Sequence, residues 1–167
     1  MILATDVHYH DSGATAAGVL FNDWGDVAAQ QTLTVEIATV KPYVSGQFYQ
    51  RELPCLLALI EQIDRPLDCI VVDGFVYLDK QKNAGLGQYL YDALGGQVAV
   101  VGVAKSAFRD SPVDTQVLRG ESRKPLYVTS VGIELVDAKR FVVAMAGDFR
   151  LPTLLKQVDS LCRQRNG

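Results

Sequence analysis

The chain has 167 residues, of which 49% are apolar and 21% charged, the composition of an ordinary globular protein with room for a full core. No apolar run approaches membrane-spanning length, which excludes a membrane role of that kind. A net charge of −3 does not announce a nucleic-acid binder, yet it does not exclude one, because a local basic groove or bound cations can replace global charge.

The chain opens on "ILATDVHY", a buried strand that carries the acid Asp6 among apolar residues such as Leu3 and Val7. "ATAAGVLFND" reads as a second strand, "WGD" as a tight turn and "VAAQQTLTVEIATV" as a third strand. Short connections make these three an antiparallel meander. "KPYVSGQFYQ" is a loop marked by Pro42, Ser45 and Gly46. From Glu52 the period changes: Leu53, Leu56, Leu57, Ile60 and Ile63 fall at helical spacing, with Pro54 tolerated in the first turn. "CIVVDG" is a continuously apolar strand ending in Asp73 and Gly74, the pattern of a central parallel strand buried on both faces.

"NAGLGQYLYDAL" predicts a helix with a glycine-containing start, and "QVAVVGVAK" another buried strand. "SAFRDSPVDTQVLRGESRK" is polar and irregular, "PLYVTSVGIEL" is strand-like, and "VDAKRFVVAMAG" and "LPTLLKQVDSLCRQR" predict two closing helices. The expected class is α/β, a mixed sheet with helices on both faces, in one domain over residues 1–167. Right-handed crossovers place the fourth strand beside the first, so that Asp6 and Asp73 sit on neighbouring central strands.

Four acids stand out: Asp6 in the first strand, Glu52 opening the first helix, Asp73 ending the fourth strand and Asp159 in the last helix. Acids on apolar strands are costly unless they are paired or bind a cation. Converging carboxylates invite an oxygen-seeking divalent ion such as Mg²⁺ or Mn²⁺. Each acid has an ordinary reading as well. Glu52 could complement a helix N-terminus, Asp73 could be a turn acid, and Asp159 could pair with Lys156 one turn back. Their order, strand acid, helix acid, strand acid, helix acid, is a ribonuclease-H-like arrangement.

His8 and His10 share a strand face with Asp6. A site of three histidines is excluded, because the chain has only two. They read as polar residues at a strand end. The three cysteines Cys55, Cys69 and Cys162 form no CxxC pair and read as buried, reduced thiols. Together with the absence of a secretion signal at residue 1, they lead to an expected cytoplasmic location.

The same residues resemble the endonuclease V family. The similarity runs in order through "ATDVHY", "PYVSGQFYQRELP", "CIVVDG", "VGVAK" and "RLPTLLKQVD", nearly the whole chain. It implies a ribonuclease-H-like fold and an Mg²⁺-dependent endonuclease that cleaves DNA or RNA beyond a deaminated base, typically inosine, in single-stranded or locally distorted substrate. It also implies metal-binding, catalytic carboxylates at Asp6, Glu52, Asp73 and Asp159, with Lys105 near the scissile phosphate. Tyr43 matches part of a strand-separating wedge, and Gly46 and Gly74 match glycines whose backbones approach the extruded base.

The departures fall on base recognition. The family's DGHG and following HPR become "DGFVYLDKQ", so Phe75 replaces the histidine and Val76 the second glycine. A later GH pair becomes "VGIEL", and Lys156 stands where the last helix has an arginine. Val76 is expected to narrow the base pocket. The sequence thus keeps its acids with a rewritten base-reading segment. Besides an altered base preference, it allows a non-catalytic nucleic-acid or protein-interaction module, or a nuclease that selects nucleic-acid structure without reading inosine.

Overall fold

The computed structural model describes residues 1–40, 42 and 48–164, and for Phe48 the backbone alone. Tyr43 and Gly46 lie outside the described residues.

The meander forms as expected. β1 (Ile2–His10), β2 (Gly13–Phe21) and β3 (Gln31–Ile37) pair antiparallel in turn. Gly13 closes the first hairpin with φ 132°, and a side chain there would run into the Ile37 carbonyl. β4 (Cys69–Asp73) then lies parallel to β1, and β5 (Ala99–Ala104) parallel to β4. β7 (Leu126–Val131) turns back antiparallel to β5, and the two-residue β6 (Gln116–Val117) pairs with β7. The seven-strand order is β3-β2-β1-β4-β5-β7-β6, so the fourth strand does sit beside the first. β6 lies inside the stretch read as irregular. Two residues are too few to show a period, and only pairing with β7 makes them a strand.

α1 (Phe48–Ile60) and α2 (Leu86–Ala93) cover one face of the sheet. Leu3, Leu20, Leu56, Ile70, Val72, Leu90 and Val100 form the core beneath them. α3 (Leu135–Ala144) and α4 (Thr153–Arg163) cover the other face. There Ala4, Val19, Phe21, Val71, Val101 and Val128 meet Ala138, Val142, Leu154 and Val158. Strict alternation along β1 and β4 divides the two cores, because successive strand residues point to opposite faces. α4 follows Pro152, which cannot donate into a preceding turn, and buries Leu154, Leu155, Val158 and Cys162 at helical spacing. Among the described residues no helix is long and apolar enough to cross a membrane.

Candidate active site

The parallel ladder between β1 and β4 pairs Ile2 with Cys69, Leu3 with Ile70 and Ala4 with Val71. Continued by two steps, the same offset brings Asp6 level with Asp73. Both have the parity of Ala4 and Val71, so both point toward α4. The strands are anchored just before the acids, where the Thr5 hydroxyl donates to the Val71 carbonyl at 2.9 Å. Asp159 comes down from α4, and Lys105 follows the end of β5. Asp6, Asp73, Lys105 and Asp159 line one tight cavity of about 20 Å³, walled by Val71, Val103, Leu151, Leu155 and Val158.

Burial is the largest influence on Asp6, followed by the charge of Asp73 and a hydrogen bond shared with Asp159. Together they push its pKa up to about 7, against the 2.9 Å bond it accepts from the Val7 amide. Asp73 is raised by burial, and Lys105 opposes that shift. Asp159 moves the other way. Burial pushes it up, but the Arg163 hydrogen bond, the Asp6 carboxyl and Lys105 outweigh that and hold it low. Its Oδ1 lies 3.1 Å from Arg163 Nε and 3.8 Å from Lys105 Nζ, and its Oδ2 lies 3.9 Å from Lys156 Nζ. The pairing of Asp159 with Lys156 is therefore present, but as one of three cations around a carboxylate that also faces Asp6.

Glu52 is not in the first turn of a helix. α1 starts at Phe48, so Glu52 lies a full turn inside it, and the helix-terminus reading does not hold. It stands outside the wall of the small cavity and is only 3% exposed. Its Oε2 has no hydrogen-bond partner. Burial, then Asp6, then Asp73, raise its pKa well above the ordinary range. An orphaned buried carboxylate oxygen facing two further acids needs a proton or a cation. No three acidic, histidine or cysteine side chains among the described residues close into a ready metal cage. The oxygen-only donor set still fits a hard divalent ion, because proton sharing now does the neutralising that such an ion would do.

Gly74 follows with φ 146°, a conformation that favours glycine. Its missing side chain would meet only Leu86, at 4.0 Å, so its backbone is open to the space above. That space is a second cavity of about 470 Å³, lined by Asp73, Gly74, Phe75, Leu78, Leu86, Tyr49, Lys105, Ser106 and Phe108, among others. Val76 does not narrow it, contrary to expectation. Its side chain is fully buried in the α1–α2 core against Gly87, and its amide donates to Thr129 Oγ1 at 2.8 Å. Phe75 lines the cavity instead, edge-on to Phe108 with ring centroids 6.4 Å apart. Tyr49 stacks on Tyr89 at 3.8 Å. Tyr49, Tyr89 and Phe108 drew no attention in the sequence. Single aromatics in a loop or on a helix carry no period that separates a cavity wall from a core.

His10 lies at the end of β1, four residues beyond Asp6. It contacts Ser12 at 2.9 Å and Thr15 at 3.3 Å, with Glu36 at 3.5 Å, as a strand-end polar cluster. Cys55, Cys69 and Cys162 are buried free thiols.

The sequence model of the Endonuclease V family matches residues 1–122. The chain belongs to the endonuclease V family. Endonuclease V of Streptomyces avermitilis is 30% identical over 98% of this chain and 79% of that protein. The crystal structure of the Streptomyces avermitilis endonuclease V superposes with a TM-score of 0.69 at 27% identity, over 97% of this chain and 79% of that one. Endonuclease V from Ciona intestinalis, in complex with a 24mer DNA containing an inosine followed by a ribo-adenosine, shares the fold. Its TM-score is 0.76 at 17% identity, over 97% of this chain and 84% of that one. The sheet is of the ribonuclease-H-like type of that family, and in this chain Asp6, Glu52, Asp73 and Asp159 stand on β1, α1, β4 and α4.

Proposed function

We propose that this chain is a divalent-metal-dependent endonuclease that hydrolyses a phosphodiester in DNA or RNA. The observation that carries the proposal is the convergence of Asp6, Asp73, Asp159 and Lys105 on one cavity. Asp6, Asp73 and Asp159 would hold Mg²⁺, or Mn²⁺ in its place, with Glu52 completing the oxygen set. When bound, the ion supplies positive charge to the scissile phosphate and acidifies water. Lys105 adds fixed positive charge where negative charge builds on the phosphate oxygens. Leu151, Leu155 and Val158 wall the site against bulk water, which strengthens these interactions.

The cavity over Gly74 is the place for an unpaired base, with Phe75, Phe108 and Tyr49 as its aromatic wall. Inosine-containing DNA, the ligand of the Ciona relative, is the first substrate to test. Phe75 stands where the family has a histidine, which supports a base preference different from that of inosine-specific members.

The deciding experiment is a cleavage panel of single-stranded, mismatched and branched DNA and RNA, with and without inosine, in Mg²⁺, in Mn²⁺ and in EDTA. Cleavage that needs the metal and disappears in Asp6→Ala supports the assignment. Cleavage that persists in Asp6→Ala and Asp73→Ala would falsify it. Binding of these nucleic acids without cleavage points instead to a repurposed nucleic-acid module, and equal cutting of inosine-free branched substrates to structure selection.

A further inference from the structure

The last helix carries a cationic edge that the acid site does not use up. Lys156, Asp159 and Arg163 follow one another at spacings of three and four, so they share one side of α4. Arg163 reaches back to Asp159 through Nε alone, at 3.1 Å. Its two Nη groups make no hydrogen bond among the described residues, and its side chain is 58% exposed. A guanidinium carries five donors in a fixed fork. Here one donor is spent on the carboxylate of Asp159, which lines the small cavity, and the side chain is otherwise largely exposed. Lys156, 68% exposed, flanks the same carboxylate from the other side, and Lys105 approaches it from β5. Three cations thus surround one acid, in a chain whose net charge is −3.

We infer that Arg163, flanked by Lys156, forms a phosphate-binding rim on α4 that grips the nucleic-acid backbone beside the acids, while its Nε orients Asp159. This rests on the nuclease reading above. The chemistry is that of a planar guanidinium meeting a phosphodiester oxygen, a contact that positions the strand and carries no base information. Asp159 joins the two roles, because the bond that aims its carboxylate also fixes where the free edge of the fork points.

The test uses the full chain and a fluorescein-labelled single-stranded 24-mer DNA containing one inosine. Binding is measured by anisotropy across a range of KCl with Ca²⁺ in place of Mg²⁺. Arg163→Gln is expected to weaken binding about tenfold at low salt and to lower the slope of log affinity against log salt by about 0.7, the value for one phosphate contact on a single strand. Lys156→Gln is expected to lower the slope in the same sense. Arg163→Lys keeps the charge and is expected to keep the slope. Thermal unfolding of the variants confirms that each is folded. Wild-type binding that Arg163→Gln leaves unchanged in affinity and slope overturns the inference and leaves the nuclease reading standing. A wild-type chain that binds the probe with no salt dependence overturns both.

Discussion

Asp6 and Asp73 stand level on two neighbouring parallel strands, each two residues beyond the last paired rung between Ala4 and Val71. Opposite charges would bind here, but these are two acids with a third, Asp159, above them. The arrangement is therefore under electrostatic load, which makes its response to pH and to cations measurable.

Asp6 has a folded-state pKa near 7, above its ordinary value of 3.8. A carboxyl raised in the folded state binds its proton more tightly there than in the unfolded chain, so deprotonation destabilises the fold. The sign is the reverse of that for a salt-bridged acid. Stability without metal should fall as pH rises from about 4 to 7 and then level off, by a few kcal/mol for this group. Asp6→Asn should flatten that slope and raise the melting temperature at pH 8. At that pH, Mg²⁺ should stabilise the wild type and not the variant. Calorimetry with EDTA and with Mg²⁺ at pH 5 and pH 8 measures both effects, and a metal-free melting temperature that climbs between pH 5 and 7 would contradict this account.

Glu52 contributes a buried carboxylate with an unpartnered oxygen. Glu52→Gln keeps its shape and removes its charge. The metal-free variant should be more stable than wild type at high pH, where Glu52 has to ionise against burial, Asp6 and Asp73. The same change should weaken Mg²⁺ binding and lower cleavage at subsaturating metal. Denaturant melts and Mg²⁺ titrations of activity would show the two effects moving in opposite directions.

Tyr49 and Phe108 face the cavity over Gly74 from opposite sides of the chain, one from α1 and one from the segment after Lys105. Stacking of a base on an aromatic ring contributes about 1–3 kcal/mol. Tyr49→Ala and Phe108→Ala should each weaken single-stranded binding by about 5- to 150-fold. The salt slope should stay unchanged, because no phosphate contact is lost. A changed slope with unchanged affinity would remove these residues from the base site.

Gly102 lies under the turn that carries Asp73. A methyl group there would sit 2.5 Å from the Gly74 carbonyl oxygen and 2.8 Å from Thr129 Oγ1. Thr129 also accepts the Val76 amide, so the whole Asp73–Val76 turn rests on this contact. Gly102→Ala should push the turn outward at a stability loss of about 1–3 kcal/mol, the usual range for overpacking. Activity should drop by more than tenfold through displacement of Asp73. Cleavage rates measured well below the variant's melting temperature separate the two effects.

Periodicity was enough for the meander, the two central parallel strands and the closing helices, and the crossover rule for the adjacency of β1 and β4. These are local patterns, and a right-handed crossover leaves little choice for the strand that follows a helix. The four acids were also legible, because a carboxylate in an apolar strand or stripe breaks the pattern around it. Three things waited for the tertiary structure. Val76 packs in the core against Gly87, with its amide held by Thr129, contacts that no sequence period reveals. The aromatic wall joins residues from α1, the β4–α2 connection and the segment after β5, which only folding brings together. Arg163 acquired its place because α4 lays one side along the acids. Composition and hydrophobic pattern determine which residues are inside. Which charges meet across that inside depends on the distances between elements far apart in the chain, and those distances exist only once the sheet has closed under its helices.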